Sequence, residues 1–348
     1  MKKAKGILLI IMLILSQSIF AERELSFDIK NASSGPRFLY VAGMWGGISV
    51  CSLDTITGAI LSCQKAMDEN NIISTPSSIV LNNAGNTVFI SQGNHDSHFV
   101  SQCAINPMTG VFHSCTSTAI TTPSDISADW SLISLNKDNT LAYIAVDFME
   151  NSKTKSKVLA CPIVDSSIQG SCIETGANNL PQVITGLTLN RNSSTAYIEG
   201  WNFHDISSFM TVCHVDGTTF SDCILKKGGG NVSFSSRVIG SALNYSESLL
   251  YMTNSLSEIY QCSTTWNNTP AFENCSITKI DNLDPQMISR GIILNKANSL
   301  AYILFKNSSD HTSAVNVCPV VNDQLMNNCS VFTGLGDLED ATAVALAY

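Results

Sequence analysis

The 348-residue sequence predicts an all-β fold, a six-bladed β-propeller built from four-stranded antiparallel blades. Three observations carry that expectation. A repeat of about 54 residues runs through the chain, six cysteine pairs keep step with it, and each end of the chain holds a strand without its usual neighbour.

The repeat is marked by Leu-Asn at Leu81, Leu135, Leu189, Leu243 and Leu294, spaced by 54, 54, 54 and 51 residues. In each copy an apolar run leads into Leu-Asn, a polar turn follows, and a second apolar run contains Tyr or Phe, as in LNKDNTLAYI from Leu135. Asn, Gly, Asp and Ser supply turn geometry, so the pattern reads as two strands, A and B, joined by a tight turn. The cysteines fall as Cys51/Cys63, Cys103/Cys115, Cys161/Cys172, Cys213/Cys223, Cys262/Cys275 and Cys318/Cys329, each pair 10 to 13 positions apart. Each pair brackets a turn-like segment such as Asp54-Thr55-Ile56-Thr57-Gly58, which makes a second hairpin of strands C and D with one Cys on each, facing each other. Opposed residues of antiparallel strands lie about 4.5–5.5 Å apart at Cα, within disulfide reach, so one local bridge per blade is expected. A metal site would need short CxxC-type pairs or nearby His; there is no CxxC, and His113 and His214 each stand near a single Cys with no second ligand pair.

The chain ends give the closure. Asp340 to Leu346 reads as one more strand A, with Leu346 52 residues after Leu294, and Phe38-Leu39-Tyr40-Val41 reads as a strand B with no strand A before it. Pairing them completes the first blade and removes an open junction in the ring, so 37–348 is expected to be a single domain.

What precedes it reads as processing. Met1 to Lys5 carries three lysines, Gly6 to Leu15 is an uncharged apolar run, and Ala21 stands before Glu22. These are the parts of a secretory signal peptide over 1–21, followed by an N-terminal extension over 22–36. The apolar run is short of the ~20 residues a membrane span needs, and no second candidate occurs downstream. Losing Lys2, Lys3 and Lys5 takes the formal charge from −9 to −12. With 19 Lys and Arg against 28 Asp and Glu, the chain lacks the cation surplus that phosphate contacts need, which argues against nucleic acid. Twelve cysteines fit an oxidising compartment, so the expectation is a secreted or periplasmic monomer with no membrane span after cleavage.

The repeat resembles the YVTN/lactonase-like β-propeller repeats. The matching residues are Asn83-Ala84-Gly85-Asn86 with Phe89-Ile90, Tyr40-Val41, Asp54 with Thr57-Gly58, and Thr109-Gly110. The resemblance covers nearly all of the mature chain and implies a propeller. Through the sugar-lactonase members of that family, it also implies lactone hydrolysis. This chain departs from the pattern in lacking the turn Gly in most copies and in carrying hairpin cystines. Pro76-Ser77-Ser78, Pro181-Gln182-Val183 and Pro285-Gln286-Met287 stand where His and acidic motifs would begin the inner strands.

Function is expected where the blades differ. The repeat Leu and the strand B aromatic are always eight residues apart. From that aromatic to the first Cys the count is 11, 14, 18, 16, 11 and 16 in blade order, so variation concentrates between strands B and C. Those connections carry Trp45, His95, Asp96, His98, Asp147, Glu150, Trp201, His204, Asp205 and His311. His95, Asp96 and His98 could ligate a metal or exchange protons, since imidazole and carboxylate do both; solvated loop polarity is the competing reading. Trp45, Trp201 and His204 could anchor a ligand, and core packing of the tryptophans competes. Asp129, Arg237, Arg290 and Asp340 are expected around the mouth of the central channel, as structural ion pairs or as catalytic groups. No nucleophile elbow, phosphate loop, haem CxxCH or zinc-protease motif occurs, and no cofactor is expected. The sequence thus points to an exported module binding a protein or carbohydrate ligand, with a lactonase-like or metal-assisted hydrolase and a structural envelope protein as alternatives.

Overall fold

The computed structural model describes residues 35–348 except 46, 67–72, 74, 95–96, 121–130, 151–152, 204–206, 266–270, 282 and 336–337. Residues 1–34, with the expected signal peptide and most of the extension, therefore lie outside the described residues. Strand A of blade 1 is the C-terminal Ala341–Ala347, followed outwards by Phe38–Gly43, Gly47–Leu53 and Ile60–Lys65. Blades 2, 4 and 5 repeat the order of four consecutive strands, beginning with Pro76–Leu81, Val183–Leu189 and Val238–Leu243. Blades 3 and 6 begin with Ser131–Leu135 and Met287–Leu294. The six inner strands contact one another in sequence around the axis, and Ala341–Ala347 touches the inner strands of both blade 2 and blade 6. The closure is in register, with Leu39 opposite Leu346 and Val41 opposite Val344.

Alternation along strand B explains why the blades stack. Tyr40 and Ala42 face the cluster shared with blade 2, while Leu39 and Val41 face the one shared with blade 6. Six such apolar clusters fill the six blade junctions, so each strand B is buried on both sides and reads as a continuous apolar run. Polar side chains on the inner strands also cross between blades. The Ser77 hydroxyl donates to the Ser131 carbonyl (2.8 Å), Thr188 to that of Ser241 (3.1 Å) and Thr342 to that of Pro76 (3.0 Å).

All six expected cystines form: Cys51–Cys63, Cys103–Cys115, Cys161–Cys172, Cys213–Cys223, Cys262–Cys275 and Cys318–Cys329, with Cα separations of 3.9 to 4.3 Å. The expectation that each joins directly opposed strand residues holds for Cys51–Cys63 and Cys262–Cys275 and is corrected in the other four blades. In blades 2 and 4 a bulge sets Ser114-Cys115 opposite Cys103 and Asp222-Cys223 opposite Cys213. The extra residue of each bulge is left-handed, with φ of 51° at Ser114 and 48° at Asp222, and it bends strand D locally. In blades 3 and 6, Cys172 and Cys329 lie outside any strand, each just ahead of a short strand D piece.

Strand D itself departs from expectation in those two blades, breaking into Ser167–Ile168 with Ile173–Glu174 and Gln324–Leu325 with Ser330–Phe332. In both, a proline follows the strand C cysteine, at Pro162 and Pro319. Their carbonyls face strand D, accepting from Gln169 N (2.8 Å) and Met326 N (2.9 Å), so the missing proline N–H is lost from that side of the ladder.

The Leu-Asn turn proves to be a fixed unit. Asn136 Oδ1 accepts from the amides of Thr140 (2.8 Å) and Leu141 (3.0 Å), and Asn82, Asn190 and Asn295 do the same in their copies. The fourth turn residue is left-handed in every copy, with φ of 68° at Gly85, 54° at Asn139, 57° at Ser193, 58° at Glu247 and 52° at Asn298. Only Gly takes that conformation freely, yet four copies place a polar side chain there. Each such side chain accepts a hydrogen bond from the preceding blade. Asn83 N donates to Asn139 Oδ1 (3.4 Å), Lys137 N to Ser193 Oγ (2.8 Å), Arg191 N to Glu247 Oε1, and Tyr245 N to Asn298 Oδ1 (2.7 Å). Tyr348 completes the series by accepting from Lys296 N (2.5 Å). Gly85 stands in the one copy whose preceding blade has no A–B turn to donate, because blade 1 is assembled from the chain ends. The turn Gly is therefore missing where an acceptor is needed.

The strand B tyrosines latch blades at the periphery. Tyr40 donates to the carbonyl of Gly110 (2.9 Å), Tyr143 to Gly217 (2.6 Å), Tyr251 to Asp323 (2.6 Å) and Tyr302 to Gly58 (2.9 Å), each in the C–D turn of the next blade. Gly110 has φ 72°, and a Cβ there would lie 2.7 Å from Val50 Cγ2. Two sequons, Asn192-Ser193-Ser194 and Asn307-Ser308-Ser309, serve as turns, with each Asn Oδ1 accepting from the amide of the Ser two residues on.

Two outcomes follow. Gly110→Ala should lower stability by ~2 kcal/mol through left-handed strain and the Val50 clash, visible as a lower melting temperature. An unchanged melt would mean that the turn is free to move. Removing 341–348 should abolish cooperative thermal unfolding followed by circular dichroism, whereas a native-like transition would show that the ring holds without its closing strand.

Candidate functional site

Strands A begin, strands B end and strands C begin on one face, and a cavity of about 210 Å³ opens there on the axis. Every blade lines it: Thr342 from blade 1, Ser77 from blade 2, Leu132 from blade 3, Ile184 and Trp201 from blade 4, Arg237 from blade 5 and Arg290 from blade 6. Arg237 and Arg290, named from the sequence for the channel mouth, both line this cavity.

Trp201 ends strand B of blade 4, opposite Val183, and is 9% exposed. The Arg237 guanidinium stacks on its ring at 3.9 Å, and Phe203 meets it edge-on at 4.5 Å. Trp201 is thus packed against its neighbours and also lines the cavity. Burial pulls the Arg290 pKa below its ordinary value, with Asp340 opposing and Arg237 adding to the shift. Arg290 Nε is enclosed with no hydrogen-bond partner. Among the described residues neither arginine forms an ion pair. The nearby carboxylate is occupied, since Asp340 Oδ1 pairs with Lys306 and with His311 Nδ1 (2.8 Å). Burial disfavours ionisation of Asp340, but these hydrogen bonds outweigh it and hold its carboxyl below the usual range. Asp340 also joins blades through its backbone, with its N–H on the His311 carbonyl (3.1 Å) and its carbonyl accepting from Met44 (3.0 Å).

Behind the mouth lie two buried carboxyls. Asp147 is pushed up to about 7 by burial, against hydrogen bonds from the Ser156 hydroxyl (2.7 Å) and the Ile184 amide (3.1 Å). It thereby fixes the backbone of a cavity-lining residue. Glu199, two residues before Trp201 on the same side of the strand, is completely buried and also raised to about 7 by desolvation. Its carboxyl oxygens have no hydrogen bond of good geometry, since the nearby Ser241 hydroxyl is committed to Thr188 (2.8 Å). A bulge leaves Gly186 opposite Glu199, where a Cβ would fall 1.8 Å from Oε2, so Gly186 makes the room this carboxyl occupies. Sequence reasoning missed Glu199. The available signal was register: two residues after the strand B aromatic the other blades carry Ala42, Ser91, Ala145, Thr253 and Leu304.

The remaining expected residues disperse. Trp45 is 68% exposed in the turn between strands B and C of blade 1. Glu150 is exposed and paired with Lys155. Four placements are corrections. His98 lies in strand Ser97–Ile105, buried, with both ring nitrogens unpartnered and its pKa lowered by burial, Asp147 and Glu150 lie in strand Leu141–Glu150, and Trp201 ends strand Thr195–Trp201. The added length of blades 2 and 3 became longer B–C hairpins, because strand pairing satisfies backbone groups that a loop would expose. His95, Asp96, Asp129, His204 and Asp205 lie outside the described residues. The cystines take no part in the cavity wall, and with all twelve sulfurs bonded none is a free thiol. Cys51, Cys103, Cys161, Cys213, Cys262 and Cys318 are buried in the blade junctions, whereas Cys63, Cys115, Cys275 and Cys329 are only partly buried at the outer strand. Among the described residues no three His, Cys, Asp or Glu side chains gather as a metal site.

Glu199 and Asp147 bind protons in the folded chain that the unfolded chain releases at lower pH, so folding stability should fall as pH rises from about 4.5 to 7. Glu199→Gln should remove ~3 kcal/mol of that fall, read from urea midpoints at pH 5 and 8. An identical fall in the variant would show that Glu199 titrates normally.

No family model matches the chain, and no curated protein matches it. Solved structures do. A periplasmic gluconolactonase of Pseudomonas aeruginosa aligns with a TM-score of 0.54 at 10% identity over 89% of this chain and 99% of that one. A candidate 6-phosphogluconolactonase of Bacteroides fragilis aligns with a TM-score of 0.53 at 11% identity over 89% and 98%. A Lactobacillus plantarum protein aligns with a TM-score of 0.56 at 10% identity over 89% and 99%. The fold resembles lactonase-like β-propellers.

Proposed function

We propose that this lactonase-like propeller is an exported binding module that takes a protein or carbohydrate ligand on its B–C face, over the axial cavity. The carrying observation is the cavity itself, where all six blades converge on Trp201, Arg237 and Arg290, the residue types that anchor interfaces. Six cystines and the Lys-led apolar N-terminus support export to an oxidising compartment, periplasmic or extracellular. The propeller needs no cofactor for this role and acts as a monomer.

A second reading, lactone hydrolysis, draws on His311 and Asp340. The carboxylate takes Nδ1, and the half-exposed ring leaves Nε2 to accept a proton from water. The lactonase names of two structural neighbours, from Pseudomonas aeruginosa and Bacteroides fragilis, lend this reading a chemistry. Trp201→Ala should weaken capture of ligands from a glycan array and an envelope extract at least tenfold, and equal capture would overturn the binding reading. Turnover of a sugar-lactone panel that is lost in His311→Ala would establish the hydrolytic one.

A further inference from the structure

Arg237 and Arg290 stand at the inner strands of neighbouring blades and line the same axial cavity, close enough that the Arg237 charge disfavours that of Arg290. No ion pair with a described residue relieves them, because Asp340 is committed to Lys306 and His311. Two cations that make no ion pair with a described residue, with Asp340 acting on Arg290 only through space, offer a site for a carboxylate, which Arg binds through paired N–H donors.

The surroundings indicate what carries that carboxylate. Trp45, Met149, Phe203 and Leu256, from blades 1, 3, 4 and 5, stand at or beside B–C turns on this face and are 53 to 68% exposed. Single exposed apolar residues are ordinary, but here four blades each place one on the face where the cationic cavity opens. The cavity, at about 210 Å³, is below the ~300–1,000 Å³ usual for small-molecule sites and suits one inserted side chain. A sugar acid would fill it and leave the apolar rim bare, whereas a protein segment covers both. The formal charge of −9 repels a strongly acidic partner at long range, which favours one acidic side chain in an apolar context over a polyacidic tract.

We infer that the partner is a protein whose protruding loop or terminus inserts an Asp or Glu side chain between Arg237 and Arg290 while its flanking apolar residues rest on the rim. This rests on the binding reading above and specifies its ligand.

The test is selection of displayed random 12-residue peptides on the immobilised full-length protein, with calorimetry on the best synthetic peptide. Enriched sequences should carry one Asp or Glu flanked by aromatic or aliphatic residues. Arg290→Gln and Arg237→Gln should each weaken binding at least tenfold, as should Glu→Gln in the peptide. Combining the protein and peptide changes should add little further. Trp45→Ala should cost a few-fold, and Arg237→Lys should retain part of the affinity. Circular dichroism and intact cystines confirm that each variant folds. Selected peptides without an acidic residue, or binding indifferent to Arg290→Gln, overturn the acidic anchor and leave the binding module standing. Arginine-dependent saturation by glucuronate with no peptide bound makes the ligand a small sugar acid and also overturns the inference. Neither peptide nor glucuronate binding, with no ligand captured in the glycan and extract assay, removes both.

Discussion

A ring of blades holds only if its last junction matches the others. Here that junction is the antiparallel pairing of Ala341–Ala347 with Phe38–Gly43, which joins two ends of the chain separated by the whole domain. Burial of strand B on both faces depends on it, since every strand B needs a neighbouring blade on each side. The axial cavity depends on it as well, because Thr342, on the closing strand, lines the wall and ties it to Pro76 of blade 2. Asp340, one residue before that strand, gathers Lys306 and His311 from blade 6. The candidate site thus straddles the seam.

Most of the hydrogen bonds between blades come from groups that carry no charge, with the Glu247 and Asp340 carboxylates among the exceptions. Hydroxyls of Ser and Thr reach carbonyls across the inner strands, Asn and Ser side chains receive amides across the turns, and tyrosines reach the outer hairpins. Such bonds satisfy buried backbone groups without the desolvation cost of ions, and they account for a chain in which only 14% of residues are charged. The cystines act within blades, each closing a hairpin whose outer strand has a neighbour on one side only. The buried carboxyls Asp147 and Glu199 and the partly buried Arg290 lie on the B–C side of blades 3, 4 and 6, where the inner strands also approach through Gly186, Gly240 and Gly291.

Blade number, cystine pairing and closure were legible because each recurs: Leu-Asn, the cysteines and the orphan strands at Tyr40 and Leu346 mark the same register. The local geometry around Cys115, Cys172, Cys223 and Cys329 was less so, because a bulge or a broken strand keeps the bridge while changing what faces what. The mouth arginines were legible by counting back from the repeat Leu. The carboxyl of Glu199 was not, since only three-dimensional packing reveals that Gly186 opens a space for it. Nor was the burial of His98 and Asp147, because extra residues between an aromatic and a cysteine count equally as loop or as longer hairpin. The broken outer strands of blades 3 and 6 could have been read from Pro162 and Pro319, whose position after a cysteine places them inside a ladder.

The turn-to-turn contacts have one further implication. Every turn from blade 2 to blade 6 offers a donor at one fixed position, and every turn after the first offers an acceptor at another, so these couplings are interchangeable. A copy inserted or removed between any two of them would meet the same chemistry. The number six is therefore written in the packing of the blades around the axial bore, and duplication or loss of a unit would change the bore before it disturbed any of these turn contacts.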